Sequence, residues 1–134
     1  MTSHKRAKVQ LSQFIDQLYS LGPTAVGLFF YAGHGVQSQA DGKNYLIPVD
    51  ADISSEQELE DEAVSANSVL RRMELTNPGV KIVILDACRN NPFPAVTRSV
   101  GQQGLGEMRR ARGSFIAYAT APGSVASDGT GKNG

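Results

Sequence analysis

Two side chains stand out as able to do chemistry in this sequence: Cys88, its only cysteine, and His34, one of two histidines. A thiolate beside an imidazole that moves protons can attack a carbonyl carbon, provided backbone N–H groups hold the oxyanion that forms. Each residue closes an apolar run. AVGLFFYA (25–32) leads into Gly33-His34-Gly35, and VKIVILDA (80–87) leads directly into Cys88. The flanking glycines predict a sharp turn with backbone conformations closed to other residues. The amides of Gly35 and Cys88 are then candidate oxyanion donors. A lone cysteine is more often simple packing, and a turn histidine often has no task. Both together, at two matching strand ends, form a coincidence that a purely structural reading leaves unexplained.

The elements that must position this pair follow from hydrophobic periodicity. Leu11, Phe14, Ile15, Leu18 and Leu21 recur at helical spacing within Gln10–Leu21, which Gly22-Pro23 ends. The two apolar runs read as strands buried on both faces. YLIPV (45–49) reads as a short extended piece that Pro48 keeps off a central strand. The stretch 50–62 is acidic and exposed. Glu62–Leu75 is a second helix, with Val64, Val69, Leu70 and Met73 on its buried side and Asn77-Pro78-Gly79 as its stop. Arg89–Gly113 is a long loop of a length usually functional or mobile, SFIAYAT (114–120) a third strand, and the rest a Gly/Ser-rich tail. Strands alternating with helices predict a largely parallel sheet with helices on both faces, in which ligands bind at the carboxyl ends of the strands.

Composition narrows the function classes. With 134 residues the chain is one domain, and 40% hydrophobic residues suffice for a core. Thirteen basic residues balance thirteen acidic ones, which argues against a nucleic-acid or acidic membrane partner. One cysteine excludes an internal disulfide and fits a reducing, cytoplasmic setting. The basic N-terminus lacks the apolar core of a secretory signal, and the longest apolar run is too short to span a bilayer. A soluble protein is expected.

YAGHG around His34 and ILDACRN around Cys88 resemble the two catalytic motifs of the caspase-like cysteine peptidases, most of all their bacterial metacaspase (orthocaspase) branch. The caspase signature places the histidine about 50 residues before a Q-A-C-[RQG]-G motif, and here 88 − 34 = 54. FIAYATAPG is similar to the strand and loop lining the primary specificity pocket of the family, so three motifs in order span residues 25–128. The resemblance implies a three-layer α/β/α fold with a mostly parallel sheet, Cys88 as nucleophile and His34 as general acid/base. Residues 1–97 match the large-subunit part, 98–113 a processing loop, and 114–134 the start of the small-subunit part.

The departures from the family have a sign. Asp86 stands where caspases have Gln, Asn90 where they have Gly, and Asp128 where they carry a pocket arginine. Two carboxylates in place of Gln and Arg convert an aspartate-binding pocket into one for Arg or Lys, which pairs with a partly buried carboxylate. The resemblance thus implies a monomeric endopeptidase acting on protein or peptide substrates with Arg or Lys before the scissile bond. Arg98, Arg109, Arg110 and Arg112 are its candidate self-cleavage sites. No cofactor is implied. Some metacaspases are calcium-activated, yet the acidic residues between Asp50 and Glu62 lack the spacing of an EF-hand and read better as a solvated helix start. Relative to the family the chain looks truncated at both ends. The competing readings are a non-catalytic caspase-like scaffold, which would usually have lost the His/Cys pair, and a related His–Cys peptidase of other specificity, which would lack the acidic pocket positions.

Overall fold

The computed structural model describes residues 2–76, 79–88 and 105–119. Helix α1 (Ser3–Leu21) starts at Thr2, whose hydroxyl accepts the Lys5 N–H at 3.3 Å, and stops at Gly22, which takes φ 86° and returns its N–H to the Tyr19 carbonyl. It begins seven residues ahead of Gln10, where the apolar stripe starts (10 − 3). The extra turns are mostly polar, and only His4 and Ala7 continue the inward line ahead of Leu11. The cap and a 2.9 Å bond from the Ser3 N–H to the Asp50 carboxylate also hold them.

Strand β1 (Gly27–Gln37) does not end in a turn at Gly33-His34-Gly35 but runs through it. Its upstream part lies parallel to β4 (Lys81–Cys88), and from His34 onward it pairs antiparallel with β2 (Asn44–Ile47). A new ladder partner is thus in place where the old one finishes, and the backbone stays extended. The YLI segment is an interior strand, because β3 (Val64–Ser65) pairs outside β2 and Pro48 falls just past its last ladder position. The expected helix at 62–75 is two pieces. A 3₁₀ turn (Glu56–Glu58) leads into α2 (Leu59–Glu62), which stops where Ala63 turns extended so that Val64 can pair with Leu46; α3 (Ala66–Thr76) follows.

With β5 (Ser114–Tyr118) the sheet has the order β3-β2-β1-β4-β5. Its parallel ladders cover eight and five positions, its antiparallel ones four and two, so the fold is α/β with a mixed, mostly parallel sheet. One core lies between α1, α3 and the sheet, built on Leu18, Val69, Leu70, Met73, Val83 and Leu85. Alternation along β2 sends Leu46 into that core and Tyr45 and Ile47 to the opposite face, where Ile53, Leu59 and Ala63 cover them. The two layers are unequal. On the second face Leu28, Phe30 and Phe115 remain 54%, 60% and 56% exposed. No helix among the described residues is long and apolar enough to cross a membrane.

Candidate active site

The spacing of the two reactive residues is the register of the sheet. Along β1 and β4 every pair differs by 54, from Gly27 opposite Lys81 to His34 opposite Cys88. Neighbouring strands lie about 4.8 Å apart, so the backbones of His34 and Cys88 are lateral neighbours at the carboxyl ends of two parallel strands. Ala32 is likewise opposite Asp86, and the pleat puts Asp86 and His34 on the same face, away from α1 and α3. Asp86 is exposed, and its carboxylate makes no hydrogen bond or ion pair with any described residue. His34 is half-buried. Its Nδ1 is closed off from solvent and has no partner among the described residues.

The backbone around His34 is fixed from the helix side. The Tyr31 hydroxyl donates to the His34 carbonyl at 2.6 Å, with the Ile47 carbonyl of β2 a second acceptor at 3.1 Å. Burial raises the Tyr31 pKa, so this hydroxyl stays a donor throughout the neutral range. Gly33, at φ 156°, lets the ring pass: a Cβ there would lie 2.7 Å from the Tyr31 hydroxyl oxygen. At Gly35 a Cβ would meet Ala87 Cβ and Leu105 Cδ2 at 3.0 Å each, so only glycine fits without displacing one of them.

Leu105 belongs to a segment, 105–113, that was expected to be part of a loose loop. Its described residues are instead held at several points. The Asn44 side chain, fully buried, donates to the Gly106 carbonyl at 2.7 Å and accepts the Gly106 N–H at 2.8 Å. The Tyr118 hydroxyl donates to the same carbonyl and accepts the Met108 N–H, both at 3.2 Å. Glu74 accepts from the Ala111 N–H and the Ser114 hydroxyl, and Arg110 donates to the Ser114 carbonyl, all at 2.8 Å. Leu105 and Met108 are buried in the core beneath the sheet.

The structure therefore brings together His34, Gly35, Asp86 and the backbone of Cys88. Arg109, Arg110 and Arg112 are exposed on the held segment. Asp128 and Arg98 lie outside the described residues. Three of the acidic residues of 50–62 are hydrogen-bonded within the chain: Glu56 accepts from the Ser38 hydroxyl and the Ala40 N–H, Glu58 from the Ser54 N–H, and Asp50 from the Ser3 N–H. Among the described residues no three possible ligands converge on a metal position. Tyr31, Asn44 and Gly106 support the site although none of them stands out as a functional residue in the sequence. The available signals were a polar tip inside an apolar run and an Asn directly before one.

Searched against individually curated proteins, the sequence finds no match. The sequence model of the caspase domain family (Peptidase_C14) matches residues 3–134, nearly the whole chain. Together with the α/β sheet and the two motifs at its strand ends, this match establishes that the chain belongs to the caspase domain family of cysteine peptidases.

Proposed function

We propose that this protein is a cysteine endopeptidase of the bacterial metacaspase type that cleaves after Arg or Lys. In this reading the Cys88 thiolate attacks the carbonyl carbon of the scissile peptide. The carbonyl π electrons move to oxygen, which the Gly35 and Cys88 amides receive. His34, protonated on taking the thiol proton, gives that proton to the departing amine as the C–N bond breaks and a thioester forms. His34 then deprotonates the water that hydrolyses the thioester, and returns the proton to the thiolate. Asp86 pairs with the basic side chain before the scissile bond, with Asp128 as a second carboxylate of that pocket. The observation that carries the reading is the register pairing of His34 with Cys88, beside an Asp86 that is exposed and unpaired among the described residues. A monomer acting in the cytoplasm is the companion proposal.

The test is hydrolysis of fluorogenic peptides that differ only at the residue before the scissile bond. Arg and Lys peptides are expected to be cleaved and Asp peptides not, with all cleavage lost in Cys88→Ala and His34→Ala. Asp86→Asn is expected to lower kcat/KM for the Arg peptide by about thirtyfold, near 2 kcal/mol, the low end for removing one partner of a desolvated charge pair. Cleavage by Cys88→Ala removes the nucleophile assignment, and an unaltered Arg rate in Asp86→Asn removes the pocket.

A further inference from the structure

We propose that a cleft between α1, α3 and the β2–β3 pair binds a small organic phosphate: a phosphate group with about two negative charges, carried on an apolar or aromatic body. The site shares no residue with the pair at the strand ends, and the inference does not depend on the peptidase reading.

The cleft encloses about 370 Å³, a volume within the range of small-molecule sites. Lys8 from α1, Lys43 from the connection between β1 and β2, and Arg72 from α3 line it, and Glu60 is the one carboxylate among its described lining residues. None of the three cations is in an ion pair with a described residue. The Arg72 guanidinium has a single hydrogen bond there, from Nη2 to the Ser12 hydroxyl at 3.4 Å, which is long and leaves its other N–H groups to give. The chain as a whole balances its charges. Three unpaired cations from three separate segments, gathered at one concavity against one carboxylate, leave two positive charges uncompensated. Asp41, two residues before Lys43, does not compensate them from within the cleft: its carboxylate accepts the Lys43 N–H at 2.8 Å and the Tyr45 hydroxyl at 2.6 Å.

The chemistry of the walls selects the anion. A carboxylate brings one charge and two oxygens, whereas a phosphate ester brings about two charges and three free oxygens, which matches the surplus. Arginine meets two of those oxygens with its planar fork, and lysines add point charges. Hydroxyl donors stand beside them. Ser65 Oγ accepts the Ser68 N–H at 3.2 Å, so its own proton remains to donate, and Ser12 keeps its proton in the same way. Leu11 and Val64, both half-buried, give the cleft an apolar side as well. Bare inorganic phosphate would leave that side unused, and an uncharged apolar molecule would leave the cations unused.

Amide chemical-shift titrations by NMR, at constant ionic strength, test the site with phenyl phosphate and inorganic phosphate as probes. In the wild type, phenyl phosphate is expected to produce saturable shifts at Ser12, Ser65 and Ser68, with inorganic phosphate binding several-fold more weakly. Arg72→Gln should weaken phenyl phosphate by about 10- to 100-fold, the loss of charge-assisted hydrogen bonds from one guanidinium. Lys8→Gln and Lys43→Gln should each weaken it by a smaller factor, and Glu60→Gln, which removes the opposing charge, should tighten it. Lys8 and Lys43 are exposed, so their variants decide the matter whatever Arg72→Gln does to folding. Arg71→Gln removes the same charge from α3 but not from the cleft, and should leave the affinity within about twofold. Absence of saturable shifts in the wild type overturns the proposal. So does an equal loss in Arg71→Gln, which would mean diffuse attraction to a charged surface. Equal affinity for inorganic phosphate overturns the assignment to an organic ester, because the apolar side then contributes nothing.

Discussion

Replacing Asn44 by Ala removes a buried clamp whose cost can be worked out bond by bond. The Asn44 side chain makes two bonds, to the N–H and to the C=O of Gly106, and Gly106 is itself buried. In Asn44→Ala the Gly106 N–H has no remaining partner among the described groups. The Gly106 carbonyl keeps the Tyr118 hydroxyl at 3.2 Å. One orphaned buried donor costs about 1–3 kcal/mol, and the lost second bond adds about 0.5–1.5 kcal/mol. Some of this is recovered if a water enters the polar space left behind. The net expectation is a loss of about 2–3 kcal/mol. With a urea slope of about 1.5–2 kcal/mol per molar, the unfolding midpoint falls by about 1–2 M. Tyr118→Phe leaves the Gly106 carbonyl on Asn44 but takes the acceptor from the Met108 N–H, so it should cost about 1–3 kcal/mol of its own, and the double variant should lose more than the two single losses combined, because only then is the carbonyl fully orphaned. Equilibrium urea unfolding followed by circular dichroism measures all four proteins. A midpoint for Asn44→Ala within about 0.3 M of wild type would refute the reasoning, as would strict additivity in the double variant.

Two other expectations concern pH and self-cleavage. Burial first, and then the charge of Lys8, lowers the His4 pKa below its ordinary 6.5, against the opposing pull of Glu62, Asp61 and Asp50. A depressed histidine favours folding while neutral, so its contribution is complete above about pH 6.5 and is lost as the pH falls through 6.5 toward the folded value. The carboxylates of Asp50 and Glu56 are held below their ordinary values, Asp50 chiefly by the Ser3 N–H and Glu56 chiefly by the Ser38 hydroxyl. Their contributions are lost only at lower pH. A drop in urea midpoint between about pH 7.5 and 5.5 is therefore expected in the wild type and absent in His4→Leu; an equal drop in both assigns it elsewhere. For self-processing, cleavage after Arg109, Arg110 or Arg112 requires the held segment to open, since peptidases act on locally released chain. Mass spectrometry of incubated protein should show such cleavage rising in Asn44→Ala and missing in Cys88→Ala. Identical nicking in Cys88→Ala removes self-processing.

The sequence was most legible where one local property decides the outcome. Two runs of β-branched and apolar residues became β1 and β4, but the expected burial on both faces fails for β1, whose Leu28 and Phe30 stay exposed on the face away from α1 and α3. It was less legible where a distant partner decides. Gly33-His34-Gly35 looked like a turn because glycines permit one, but β2 offers ladder partners from His34 onward, and those come from residues 44–47. The break between α2 and α3 has the same origin: Val64 leaves the helix to pair with Leu46. The first two turns of α1 place only a histidine and an alanine, His4 and Ala7, on the buried line, too weak an apolar signal to read as a period, although Thr2 is a readable cap. As for the site, His34, Gly35, Asp86 and Cys88 were named from type and motif, while Tyr31 and Asn44 were not. Their roles lie in bonds to backbone groups, and the sequence around a bonded carbonyl carries no mark of its partner.

The segment 105–113 explains why a site at two strand ends needs support from strands that are not its own. Gly106 is gripped by Asn44 from β2 and by Tyr118 from β5. In the sheet those two strands are separated by β1 and β4. A segment bonded to both must cross beneath the carboxyl ends of the pair that carries His34 and Cys88. Leu105 then comes against Gly35 from below, opposite the face that holds Asp86. A parallel pair alone leaves its strand ends unsupported, since the connections depart there as loops. Here the flanking strands reach under and close the floor with four hydrogen bonds to Gly106 and Met108. Loosening either flank should therefore be felt at Gly35, which the floor meets at Leu105, while Glu74 of α3 still holds the Ala111 N–H and the Ser114 hydroxyl at the far end.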